Sequence, residues 1–91
     1  MPAPLGVPEG ALLVTQDDLA FSPAAVSLGA GEPVYFWNGE TTLHNLVFDG
    51  VERSPNMEAG DVFAWRFEAA GEHLVTCDYH PQMRLRVVVE P

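Results

Sequence analysis

In the run Thr76-Cys77-Asp78-Tyr79-His80-Pro81-Gln82-Met83-Arg84, a thiol, an imidazole and a thioether follow one another at three-residue intervals. Three soft or borderline donors on one short loop can curl around a single ion. Copper suits such a set, because the sulfurs favour Cu(I) and the nitrogen accepts Cu(II). A further imidazole is needed, and His44, at the head of the alternating run Leu43-His44-Asn45-Leu46-Val47-Phe48, can supply it from a neighbouring strand. Two imidazoles and a thiolate would then form a trigonal plane, with Met83 as a weak axial ligand. Zinc is the next candidate, but methionine is a poor zinc ligand, so Met83 tilts the reading toward copper. His73 precedes Cys77 by an even spacing and can share its face of the strand; with four ligands placed, it is expected to be a non-ligand. The competing chemistry is an enzyme with Cys77 as nucleophile and His80 or His44 as base. No oxyanion arrangement accompanies it and a small sandwich offers little substrate pocket, so no enzymatic activity is expected.

The elements that must position these residues read as all-β. Short alternating runs recur between clusters of glycine, proline and acidic residues, and no segment carries a convincing helical stripe. The spacing predicts strands at Ala11–Thr15, Ala24–Leu28, Val34–Trp37, Leu43–Phe48, Val62–Phe67, His73–Cys77 and Leu85–Val89. Cys77 should end one strand, Met83 precede the next, and His80 sit on the loop between them. Leu28-Gly-Ala-Gly-Glu, Glu58-Ala-Gly-Asp and Glu68-Ala-Ala-Gly-Glu read as strand connectors and not as a solenoid repeat, their period being irregular. Seven or eight antiparallel strands of this kind close best as a two-sheet β-sandwich. Phe36, Trp37, Phe48, Phe63, Trp65 and Phe67 supply the bulk of its core, with Phe63, Trp65 and Phe67 on one face of their strand.

The chain has 91 residues, room for one core, so residues 1–91 are expected to form a single domain with residues 1–10 as a loose N-terminal segment or first edge strand. Four Lys+Arg against 13 Asp+Glu give a formal charge of -9, a field that disfavours nucleic acid and anionic lipid surfaces. Such a charge permits a cationic protein partner and equally serves solubility. No segment is apolar for long enough to span a bilayer, and Met1-Pro-Ala-Pro-Leu-Gly-Val-Pro lacks the regions of a signal peptide. The chain therefore reads as a soluble monomer, either a mature form with Met1 added or a cytosolic protein. Its single cysteine excludes an internal disulfide, and metal ligation accounts for a lone thiol.

From about Val26 to Glu90 the sequence resembles the cupredoxins, the type 1 blue-copper family, of the amicyanin and plastocyanin kind. The residues carrying the resemblance are the His44-Asn45 pair, the approach from Gly71 to Cys77, and Cys77-x-x-His80-x-x-Met83 followed by Arg84 and Val87-Val88-Val89. The short loop between the histidine and the methionine looks like that of amicyanin. The resemblance implies a Greek-key sandwich and one copper ion, cycling between Cu(I) and Cu(II), on His44, Cys77, His80 and Met83. It implies a carrier of single electrons between redox proteins, in a periplasmic or other extracytoplasmic setting with the leader absent from this chain. A copper-binding or copper-delivery protein is the alternative. The resemblance places the backbone N–H of Asn45 on the cysteine sulfur, and the Asn45 side chain is expected to tie the two ligand-bearing segments together. At Tyr79 many relatives have proline, which lacks an N–H; Tyr79 is expected to donate a second backbone hydrogen bond to that sulfur and raise the reduction potential. Asp78 pushes the other way, with Arg84 as its expected offset. Electrons are expected to leave by the His80 imidazole edge, within an apolar docking patch lined by Leu43, Pro81 and Met57.

Overall fold

The computed structural model describes residues 4–91. Nine strands follow in order: β1 (Leu12–Asp17), β2 (Ala20–Ser22), β3 (Ala25–Gly29), β4 (Pro33–Asn38), β5 (Val47–Phe48), β6 (Glu52–Arg53), β7 (Val62–Arg66), β8 (Gly71–Thr76) and β9 (Arg84–Glu90). One sheet has the order β2-β1-β4-β7 and the other β3-β9-β8-β5-β6. The two pack as the sandwich that the alternating runs predict. Among the described residues no helix is long and apolar enough to cross a membrane.

Alternation determines what lies between the sheets. Val14 and Gln16 of β1, Val26 and Leu28 of β3, Val34, Phe36 and Asn38 of β4, and Leu85, Val87 and Val89 of β9 all point inward and are buried. Phe48 is the aromatic hub. Its ring stacks on Trp65 at 4.1 Å between centroids and meets Phe36 and Phe67 edge-on at 6.0 and 5.9 Å. Phe63 and Trp65 stay half-buried because β7 is a sheet edge, covered on one side only. Trp37 departs from expectation. It alternates with Phe36 onto the outer face of its sheet, opposite Thr15, where the missing Cβ of Gly39 makes room for its ring: a Cβ there would stand 3.1 Å from it.

Two pairings are parallel, β1 with β4 and β3 with β9, where the sequence reading expects antiparallel sheets throughout. The chain reaches each partner after an excursion through the opposite sheet, and such a crossover permits a parallel neighbour without a helix. The strands the sequence did not anticipate, β2 and β6, have three and two residues, too short for alternation to register. The glycine connectors behave as expected: Gly31 and Gly60 take the positive φ, 81° and 85°, that their turns require. The loose segment or edge strand expected over residues 1–10 falls partly outside the described residues. Within them, residues 4–10 form turns and Val7 is buried.

Candidate metal centre

The predicted strand Leu43–Phe48 is regular only at its end, as β5. His44, Asn45, Leu46, Val47 and Phe48 are all buried, and five consecutive inward residues are incompatible with the two-residue alternation of a strand. The backbone is held by other partners. His44 forms an isolated bridge with Met57, its N–H donating to Met57 O at 3.1 Å, while Leu46 N–H donates to Ser54 Oγ at 2.9 Å. Asn38, fully buried at the end of β4, organises the loop: its Nδ2 donates to Thr42 O and to Met57 O, both at 2.9 Å.

This irregular segment turns His44 toward the end of β8. His44 Nε2 lies 2.7 Å from Glu40 Oε2. A carboxylate only accepts, so Nε2 carries the proton and Nδ1 presents its lone pair. Burial works to raise the Glu40 carboxyl, but hydrogen bonds from His44 and from the Leu19 N–H outweigh it and hold the group below the usual carboxylate range. His44 Nδ1 lies 3.7 Å from Cys77 Sγ. A thiolate and an imidazole bound to one first-row metal at about 2.3 and 2.0 Å, about 120° apart, would stand roughly 3.7 Å from each other. The ring of His80 lies 5.0 Å from that of His44 between centroids. His80 Nε2 is buried with no hydrogen-bond partner, a cost that a ligand would remove. Cys77 and Met83 are 3% and 1% exposed, so both sulfur side chains are withdrawn from solvent. Among the described residues no three His, Cys, Asp or Glu side chains are grouped to hold a metal ion, so the structure brings His44 to Cys77 and His80 to His44 without completing a ligand set.

The remaining expected residues fall around this pocket with some corrections. Asn45 ties the two segments together: its Oδ1 accepts from Asp78 N–H at 2.9 Å and its Nδ2 donates to Asp78 Oδ2 at 2.8 Å. Tyr79 pins the loop through its phenol, which donates to Asn56 Oδ1 at 2.8 Å. The offset of Asp78 is Arg53, not Arg84. Arg53 Nε and Nη2 reach the Asp78 carboxylate at 2.8 and 3.3 Å, and these bonds, with that from Asn45, hold the carboxyl below its ordinary range. Met57 does not line a surface patch. It is 2% exposed, because its bridge to His44 folds the side chain into the core; Leu43 and Pro81 are exposed, while His80 is half-buried with Nε2 enclosed. His73 lies apart, between Asp49 Oδ2 at 2.6 Å and Ala69 O at 2.8 Å. Sequence reasoning missed Glu40, Asn38 and Arg53. Glu40 stands four residues before His44, a spacing with no meaning outside a helix, and Arg53 meets Asp78 only through the sheet.

Comparison with known proteins agrees with this architecture. The family model described as copper binding proteins, plastocyanin/azurin family, matches residues 8–90. This chain belongs to that family. It is 33% identical over 90 residues to amicyanin of Paracoccus versutus, covering 92% of this chain and 68% of the relative. The crystal structure of that amicyanin superposes with a TM-score of 0.86, covering 93% of this chain and 86% of the other. Chloroplastic plastocyanin of Tetradesmus obliquus is 32% identical over 88 residues, 84% of this chain and 56% of the relative. A mutant amicyanin in its Cu(I) form, 28% identical, also superposes at 0.86, with 93% of this chain and 87% of that one covered.

Proposed function

We propose that this protein is a small blue copper carrier that shuttles single electrons between redox proteins, and that His44, Cys77, His80 and Met83 would hold its one copper. The observation that carries the reading is His44 Nδ1 facing the buried Cys77 Sγ at 3.7 Å, with the ring of His80, its Nε2 buried and unpartnered, 5.0 Å from that of His44. Copper supplies the one-electron change between Cu(I) and Cu(II). The residues supply fixity: Glu40 orients the His44 ring, Asn45 fastens the His44 segment to the backbone after Cys77, and the Met83 thioether is buried. In the structure the partner of Cys77 Sγ is His44 Nδ1, and the donations expected from the backbone N–H groups of Asn45 and Tyr79 are not formed. A site held in one geometry needs little reorganisation between its two oxidation states.

A delivery protein would need an open, exchange-competent site, and the burial of Met57 and Met83 weighs against it. No catalytic role is assigned. Redox partners dock where Leu43 and Pro81 flank His80, and the charge of -9 suits a cationic one. The working compartment is extracytoplasmic, in keeping with copper–thiolate chemistry. The test is the visible spectrum of metal-free protein given one equivalent of Cu(II), with Cys77→Ser as control. An intense blue charge-transfer band that the control lacks is expected; a colourless protein would sink the reading.

A further inference from the structure

We infer that Arg53 is a positioning residue for the metal centre: it clamps Asp78 and cancels the negative charge that this chain places next to its own thiolate. The inference rests on the copper-carrier reading. Asp78 follows Cys77 directly and cannot swing away, since its N–H donates to Asn45 Oδ1 at 2.9 Å and its carboxylate accepts from Asn45 Nδ2 at 2.8 Å. A carboxylate fixed there favours the more positive state of a buried metal and lowers its reduction potential. Arg53 meets it in a bidentate fork from Nε and Nη2.

The location of Arg53 explains why β6 exists. That strand has two residues, Glu52 and Arg53, and both side chains are exposed, so it contributes nothing to the core. Its register puts Arg53 opposite Val47, and Val47 in turn opposite Thr76, the residue before Cys77. The guanidinium is thereby carried laterally across the sheet to the ligand loop, and its Nη1 is steadied by Val51 O at 3.3 Å. With side chains 51% and 41% exposed, the pair is too wet to add much stability. Its effect is on the metal, because Asp78 follows Cys77 directly and a charge held that close acts well within a Debye length.

Copper-loaded wild type, Arg53→Gln, Arg53→Lys, Asp78→Asn and the Arg53→Gln/Asp78→Asn double variant are compared by redox titration at low ionic strength, with a visible spectrum of each. A downward shift of the midpoint potential is expected in Arg53→Gln and an upward shift in Asp78→Asn. The double variant should return close to wild type, and Arg53→Lys should keep most of the wild-type value, all with the blue band intact. An unshifted Arg53→Gln, or an Arg53→Lys that falls as far as Arg53→Gln, overturns the charge-cancelling role. A wild-type protein with no blue band overturns the carrier reading instead, so the spectrum tells the two failures apart.

Discussion

His44 and His73 are partly or wholly buried histidines, each bonded to a carboxylate, and they differ in what the protein does with the second ring nitrogen. At His44, Glu40 takes Nε2, and among the described residues the Cys77 sulfur is the hydrogen-bonding partner of Nδ1. At His73, Asp49 takes Nδ1 and the Ala69 carbonyl takes Nε2. Both partners of His73 are acceptors, so the ring satisfies both when doubly protonated and then fastens the turn after β5 to the turn before β8. The comparison teaches that a metal centre is found where the fold leaves donors incomplete. Proximity of a histidine to an acid does not mark it, because a structural histidine has the same neighbour.

The sharpest way to break the comparison is to exchange the two histidines' expected roles. His44→Ala should abolish the blue band outright, while His73→Gln leaves it intact; a band lost in His73→Gln would put that ring in the metal centre. Next in size is stability. His73→Gln should destabilise the metal-free protein by about 1–3 kcal/mol, the worth of hydrogen bonds to a charged group, read from denaturant midpoints at constant m-value.

The pH dependence follows from the same pair. The hydrogen bond to Asp49, then that to Ala69 O, raises His73 above its ordinary 6.5 despite burial. Burial works to raise Asp49, but its bonds from His73 and from the Leu74 N–H carry it below its ordinary 3.8. A raised histidine contributes stability that is full below 6.5 and fades as pH rises through its folded value. A lowered carboxyl contributes stability that is full above 3.8 and fades as pH falls through its folded value. The difference in unfolding free energy between wild type and His73→Gln should therefore be greatest near pH 5 and shrink above neutrality. A difference flat from pH 5 to pH 9 would mean that His73 is not held as an imidazolium. Glu52, Glu68, Glu72, Arg66, Arg84 and Arg86 also face this region, and their mixed signs leave Asp49 as the dominant partner. The smallest effect belongs to the sulfur's surroundings. Tyr79→Pro removes the N–H two residues after Cys77 and should lower the potential modestly with the band retained where copper loading draws that amide onto the sulfur; an unchanged or higher potential would show that this amide does not tune the metal.

Much of this was legible in the residues themselves. Val14, Phe36, Leu85 and Val87 point inward because alternation dictates it, and Cys77 and Met83 are buried at the two ends of the one short loop that carries His80. Legibility ended where position depends on the whole fold. His44 reaches the loop only because Leu43 to Leu46 leaves strand geometry, and that departure is enforced by Asn38 and Ser54, residues with no local signal. Arg84, nearer in sequence, was the natural offset for Asp78; Arg53, 25 positions away, holds it because β6 pairs with β5. Trp37 was misjudged because alternation gives a period, not which half of it faces the core.

The 33 positions separating His44 from Cys77 have a consequence for the unfolded chain. On the proposed ligand set, Cys77, His80 and Met83 remain neighbours when every tertiary contact is lost, whereas His44 departs with the fold. Copper can therefore stay on the denatured polypeptide through a three-donor remnant. Any such residual affinity subtracts from the stabilisation that the metal gives the native state. The rise in melting temperature on loading would then understate how tightly the folded protein holds its ion.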